Sequence, residues 1–183
     1  MSTANWKVVP VTCSTRGIKH ARIECNYEPI RFKAPSTKTP FNASPWTPTD
    51  TRVNLDLALT PELQEWGEAI DAFVPKALVE HSSALFKKEM TEEQIRDIYK
   101  PCICEHEKIS PTIRCKINIP DAPTPIRCYD QDKKPRDPPA DWRQCTLDCM
   151  ITVGKIWFMS GKCGVTLEVK DVMISNDESA CPF

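Results

Sequence analysis

The 183-residue chain lacks an excess of either charge: 24 lysines and arginines stand against 25 aspartates and glutamates, giving a net charge of −1 and a pI near 6.3. That excludes the uniformly basic surface by which many nucleic-acid binders hold phosphate, so binding of that kind has to rest on a local patch. No apolar run approaches the roughly 18 residues a bilayer span needs. With a mean hydropathy of −0.41, the chain is expected to be soluble and to have no membrane partner. The opening MSTANWKVVP lacks the basic n-region and apolar h-region of a signal peptide, so export is not expected. The common phosphate-loop, dinucleotide, zinc-protease and nucleophile-elbow patterns are all missing. The three histidines, His20, His81 and His106, have no nearby nucleophile pattern and read as surface or satisfied residues. The chain is therefore read as not an enzyme.

Ten cysteines are present, at 13, 25, 102, 104, 115, 128, 145, 149, 163 and 181. Without an export signal they read mostly as reduced thiols in a core, where cysteine behaves as a small hydrophobe, as Cys115 does between Ile113 and Ile117. An extended strand puts Cys102, Cys104 and His106 on one face, but the spacing is not that of a zinc knuckle or ribbon, and no metal is expected.

A length of 183 residues suits one domain with a real core. Residues 1–175 are expected to form it, followed by a short acidic tail at 176–183. Residues 1–33 read as one or two strands around Trp6, Val8 and Ile23, with a turn at Arg16-Gly17. The span 34–50 is proline-rich and reads as an extended arm. Val53, Leu55, Leu57 and Leu59 alternate with Asn54, Asp56 and Ala58, which is the pattern of a half-buried strand.

A helical insertion follows over 61–99. Thr60 is placed to cap a helix beginning at Pro61, where a missing N–H costs nothing. Leu63, Trp66, Ile70, Phe73, Val74, Ala77, Leu78 and Leu85 keep helical spacing, and Pro75 is expected to kink or divide the helix. Thr91-Glu92-Glu93-Gln94 is a capping box opening a second helix through Ile95, Ile98 and Tyr99, which Pro101 ends.

Ile113, Cys115, Ile117 and Ile119 alternate with Arg114, Lys116 and Asn118, giving a strand with a polar, basic outer face. Residues 120–142 read as a proline- and charge-rich loop, and Leu147, Cys149, Ile151 and Val153 as a further strand. Lys155–Met159 and Val165–Ile174 flank Ser160 to Gly164, whose glycines permit a hairpin turn. Within that hairpin Ile156, Phe158, Val165 and Leu167 form the inner face, and Lys155, Trp157 and Met159 the outer. The apolar phase slips by one residue between Val169 and Val172, which points to a bulge near Lys170-Asp171. About six or seven strands with one helical insertion and no internal repeat give a class that is α+β and mainly β, with a small Greek-key barrel as the simplest closure.

The candidate binding residues are Arg114 and Lys116 on one strand, Lys155 and Trp157 on another, and Lys162 at the hairpin tip. Arg31 and Lys33 add a basic cluster near the N-terminus. Cations that follow phosphates beside an aromatic face on which bases stack are what a single-stranded nucleic acid requires. In the tail, Asp177, Glu178 and the terminal Phe183 form an acidic, aromatic segment of a kind that docks on basic partner surfaces.

The segments Tyr99 to Ile117 and Ile151 to Ile174 carry a resemblance. Ser110-Pro111-Thr112-Ile113-Arg114 and the Trp157-to-Leu167 hairpin, in that order, resemble the OB-fold single-stranded DNA-binding proteins of large nucleocytoplasmic DNA viruses of algae and amoebae. That group is related to the phage-type replication protein with one OB fold, a helical insertion and an acidic tail ending in Phe. The resemblance covers the C-terminal half, and the first 50 residues follow only in element order. It implies an OB-like Greek-key barrel that binds single-stranded DNA without sequence preference and without a cofactor, in viral replication, recombination or repair, with RNA and a homodimer left open. It also implies residence in the host nucleus or a cytoplasmic viral factory, with viral replication proteins as partners through the tail. That tail carries only two carboxylate side chains here, which weakens its recruiting role. The alternative is a virion structural protein, a minor capsid or core component that uses the same β scaffold, contacts capsid proteins and is packaged in the particle.

Overall fold

The computed structural model describes residues 3–11, 20–43 and 49–176, apart from the side chain of Asn176. Arg16-Gly17, the middle of the 34–50 arm, and Asp177, Glu178 and Phe183 of the tail lie outside the described residues. In chain order the strands before the helices are β1 (Trp6–Val11), β2 (His20–Cys25), β3 (Glu28–Pro29), β4 (Arg31–Lys38) and β5 (Arg52–Ala58). Next come α1 (Pro61–Leu78), a 3-10 turn at Val79–His81, α2 (Ser82–Phe86) and α3 (Glu92–Ile98). The remaining strands are β6 (Tyr99–Lys100), β7 (Ile103–Cys104), β8 (Thr112–Asn118), β9 (Arg127–Tyr129), β10 (Pro135–Arg136), β11 (Thr146–Met159) and β12 (Lys162–Asn176). This exceeds the six or seven strands expected, and the surplus consists of two- and three-residue pairings.

Spatial proximity along the chain defines two compact units. The first unit comprises Met1–Ile30, Glu65–Cys102 and Val153–Thr166, and the second comprises Arg31–Gln64, Ile103–Thr152 and Leu167–Phe183.

In the first unit β1 pairs antiparallel with β2, with Val8 opposite Ile23, and β2 pairs with β11, with Ala21 opposite Ile156. β12 pairs in parallel with β6, Cys163 lying beside Tyr99. Trp6, Val8, Ala21, Ile23, Ile156 and Cys163 are all buried, and so are Trp66, Ile70, Val74 and Leu78 along α1. Burying each large apolar side chain contributes about 1.5–3 kcal/mol. The Trp6 ring meets Phe73 of the helix edge-on at 5.4 Å.

The helix boundaries follow the expected local chemistry. Thr60 Oγ1 accepts from the Leu63 N–H at 3.2 Å. The capping box at Thr91 and Gln94 is complete, with reciprocal bonds of 3.3 and 3.1 Å. Pro75 does not divide the helix: α1 runs on to Leu78 before tightening into the 3-10 turn, and the proline is buried, so its packing offsets the hydrogen bond it cannot make. Tyr99 is extended and opens β6 instead of extending α3.

In the second unit β5 and β8 pair over their full length, from Arg52 opposite Asn118 to Ala58 opposite Thr112. β8 runs parallel to β12 with Cys115 beside Leu167, and β12 also runs parallel to β9. The predicted alternation holds within the strands, where Val53, Leu55, Leu57, Ile113, Cys115, Ile117, Leu147, Cys149, Ile151, Leu167, Val169, Val172 and Ile174 are buried, whereas Leu59 and Ile119 lie just past the ends of β5 and β8 and are half-buried. Buried positions slip by one between Val169 and Val172, as the sequence pattern requires.

Three boundaries differ from expectation because they depend on pairing that is not local. The start of the arm is strand β4, which pairs with β11 from Lys38 opposite Thr146 to Arg31 opposite Thr152. Its Pro35 is tolerated because the register shifts between Leu147 and Cys149, where Ser36 takes a φ of 46° and donates its N–H to Asp148 Oδ1 at 2.6 Å. The 120–142 loop contains the β9–β10 hairpin, with Tyr129 opposite Pro135. The long hairpin turns on two residues and not five, Ser160 at φ 51° and Gly161 at φ 72°, the positive-φ pair of a tight hairpin. Gly164 lies within β12, and Val165 and Phe158 are half-buried, so Cys163 takes the core place expected of Val165.

Among the described residues no helix is long and apolar enough to cross a membrane, and no group of three or more His, Cys, Asp or Glu side chains is placed to hold a metal. Cys102 Sγ lies 3.7 Å from the Gly67 carbonyl, and His106 Nε2 lies 2.8 Å from Thr112 Oγ1. Eight described cysteines are free thiols; Cys13 and Cys181 lie outside the described residues.

Candidate nucleic-acid interface

The pleat of the β1–β2–β11 ribbon sorts its side chains. With Val8, Ala21, Ile23 and Ile156 facing the core, the opposite face carries Lys7 and Val9 from β1, His20, Arg22 and Glu24 from β2, and Lys155 and Trp157 from β11. Register makes neighbours of residues far apart in sequence: Lys155 lies opposite Arg22, Trp157 opposite His20, Val9 opposite Arg22 and Lys7 opposite Glu24. Lys7, Arg22 and Lys155 are exposed, and among the described residues none of them has a carboxylate within ion-pair distance. Lys155 and Arg22 side by side are a like-charge pair, which costs stability and is relieved by an anion lying across both.

Trp157 is half-buried on this face. A Cβ built on Gly164 would stand 2.6 Å from its Cζ2, so one edge of the indole rests on the bare backbone of that glycine. Packing and exposure therefore coexist in the same ring. Lys162, at the turn, is exposed and donates through Nζ to the Asp97 carbonyl at 3.2 Å.

The second unit holds the other predicted cations, and their condition differs. Arg114 is gripped bidentately by Asp56, Nε to Oδ1 at 2.8 Å and Nη2 to Oδ2 at 2.9 Å, and the carboxylate is almost buried. The hydrogen bonds that Arg114 donates to Asp56 raise its pKa above the ordinary value. Arg52 pairs with Glu168. Lys116 shares that face, on a small cleft of about 180 Å³ with Arg52, Glu168 and Lys170. Its pKa is lowered, first by burial and then by the charges of Arg52 and Arg114. Arg31 and Lys33 are exposed on β4, opposite Thr152 and Met150, and Lys38 continues the same edge.

Six of the predicted residues thus fall in pairs, Arg114 with Lys116 on β8, Arg31 with Lys33 on β4, and Lys155 with Trp157 on β11, while Lys162 stands by itself at the start of β12. Lys7, His20 and Arg22 were missed. The signal for them was present in the Trp6–Val8 and His20–Cys25 alternations, with Trp6, Val8, Ala21 and Ile23 inward, but strand pairing was needed to set them on the face of Trp157.

The fold is α+β, mainly β and OB-like, the class expected from the sequence. Two solved structures share it: the single-stranded DNA-binding protein from bacteriophage Enc34 in complex with ssDNA, at TM-score 0.50 and 8% identity over 94% of this chain and 97% of that one, and the C-terminal truncation of the same phage protein, at TM-score 0.51 and 9% identity over 94% and 95%. No family model matches the chain, and no curated protein matches it.

Proposed function

We propose that this chain binds single-stranded DNA, without sequence preference and without catalysing a reaction, across the outer face of β1, β2 and β11. The observation that carries the reading is the set of unpaired cations Lys7, Arg22 and Lys155 ranged beside Trp157. The shared fold supports it, since the Enc34 protein is a single-stranded DNA-binding protein seen with ssDNA. Phosphates would follow the cations, and a base would stack on the open part of the indole. The proposal includes the finer reading drawn from the Ser110-Pro111-Thr112 and hairpin motifs: a protein of a large DNA virus, acting on strands exposed in replication, recombination or repair.

The test is a titration of a fluorescent oligo-dT at about 50 and 200 mM salt. Three neutralised phosphates on a single strand give a log–log slope of about −2, so affinity should fall about 20-fold across that range. Absence of binding at the lower salt, or binding indifferent to salt, overturns the proposal. Stoichiometric recovery of a non-binding protein from purified particles would favour a structural role in the virion instead.

A further inference from the structure

We propose that Tyr27 is a second stacking platform, so that the single strand runs along β2 from Trp157 to Tyr27; this rests on the single-stranded DNA reading of that face. Tyr27 is 89% exposed, more than any other large hydrophobic side chain among the described residues. It occupies the two-residue turn between β2 and β3, where Cys25 pairs with Glu28 and Asn26 and Tyr27 take φ of 52° and 68°. Left-handed turn positions of this kind favour glycine and asparagine, because a β-carbon there crowds the backbone. Here the strained position carries an aromatic ring that fills no core. Packing returns nothing for the strain, and the ring is left open to a ligand on the cationic face.

The neighbours of the ring point the same way. Tyr27 borders a cleft of about 160 Å³ whose walls include Lys7, Val9, Glu24 and Asn26. Lys7, Val9 and Glu24 all belong to the outer face that carries Trp157. Going along β2 from Trp157, the face presents His20, then Arg22 flanked by Lys155 and Val9, then Glu24 beside Lys7, and finally the tyrosine. At about 3.3 Å per strand residue the path is roughly 20 Å long. An extended strand covers that with about four nucleotides, the lower end of the range for one OB fold. The cations line the route between the two rings. Glu24 keeps phosphate away from the middle of the cleft and leaves that place to base edges.

The experiment compares Tyr27→Ala and Tyr27→Phe with the wild-type full chain in oligo-dT titrations, alongside thermal melts. The alanine variant should bind about 5- to 150-fold more weakly, the loss expected of one base stack. Its melting temperature should stay unchanged, since the ring packs on nothing. The phenylalanine variant, which keeps the ring and loses the hydroxyl, should bind within about threefold of wild type. Wild-type affinity in the alanine variant overturns the role of Tyr27 while leaving the binding face intact, whereas no binding by the wild type overturns both. An equal loss in both variants also overturns stacking, because it assigns the contact to the hydroxyl.

Discussion

Gly164→Ala probes how Trp157 is seated. A β-carbon at this position would stand 2.6 Å from Trp157 Cζ2, 3.0 Å from Cε2 and 3.0 Å from the Lys100 carbonyl oxygen, where ordinary contact begins at 3.4 Å. The carbonyl belongs to β6, whose Lys100 pairs with Gly164 itself, so the backbone has little room to retreat. The indole must therefore withdraw by nearly 1 Å. Overpacking of this kind costs about 1–3 kcal/mol, which for a chain of this length lowers the melting temperature by about 2–12 °C. Because the ring is also the proposed stacking surface, the same substitution should weaken oligo-dT binding and shift the tryptophan emission. A double-mutant cycle separates the two contacts: in a Trp157→Ala background the alanine at 164 loses both indole clashes and keeps the one with the Lys100 oxygen, so its penalty should fall by at least half. A Gly164→Ala chain that melts within about 1 °C of wild type, or whose penalty is the same with and without the indole, would show that Trp157 is not seated on Gly164.

Two further outcomes follow from the charges and thiols. Arg114→Ala should lower stability by about 1–3 kcal/mol, since it strips Asp56, a nearly buried carboxylate, of a bidentate partner. Arg22→Ala should instead change stability by less than about 0.5 kcal/mol and reduce the salt slope of DNA binding by about 0.7; urea melts and salt titrations of both variants check the contrast, and an Arg114→Ala chain of full stability with a reduced slope would reverse the assignment. Burial raises the thiol pKa of Cys149 to about 12 and that of Cys163 and Cys128 to about 11, and it raises that of Cys115 as well. Because these folded values lie above the unfolded value of about 9, the thiols impose no pH dependence at lower pH, and stability falls as pH rises from there toward 11–12 while the unfolded chain ionises. Urea midpoints at pH 8 and 10.5 measure the drop, and native-state alkylation of Cys149 at pH 8 should be far slower than in urea.

Where the physics is local, the sequence was enough. The capping box at Thr91 needs only residues three apart, and the Val53–Leu57 alternation needs only one strand with one wet face. The long hairpin was readable because β11 and β12 adjoin through their turn. Pro75 shows the limit of the local view: the missing N–H is a property of the residue, but the packing that offsets it comes from elsewhere in the fold. The same holds for β4 and the β9–β10 pair. Prolines at 35 and 135 argue against strands until an edge position and a partner are known, and Asp148, 112 residues away, supplies what the backbone at Ser36 needs.

The site was readable to the extent that charge can be read without its counter-charge. Arg114 and Arg22 look alike on paper, each an arginine at an outward position of an alternating strand. In the fold they are opposites. Arg114 meets Asp56 across an antiparallel pair and has its Nε and an Nη2 donor engaged there, so its charge is already matched by a nearly buried carboxylate. Arg22 meets Lys155 across another pair, and the repulsion between them is relieved only when an anion arrives. Whether a cation is free to meet an anion thus depends on the side chains that strand pairing sets beside it, over 58 positions for Asp56 and Arg114 and over more than a hundred for Arg22 and Lys155. The aromatic part of the site follows the same logic: Trp157 is positioned by the absence of a side chain at Gly164, and Tyr27 is notable because nothing packs on it.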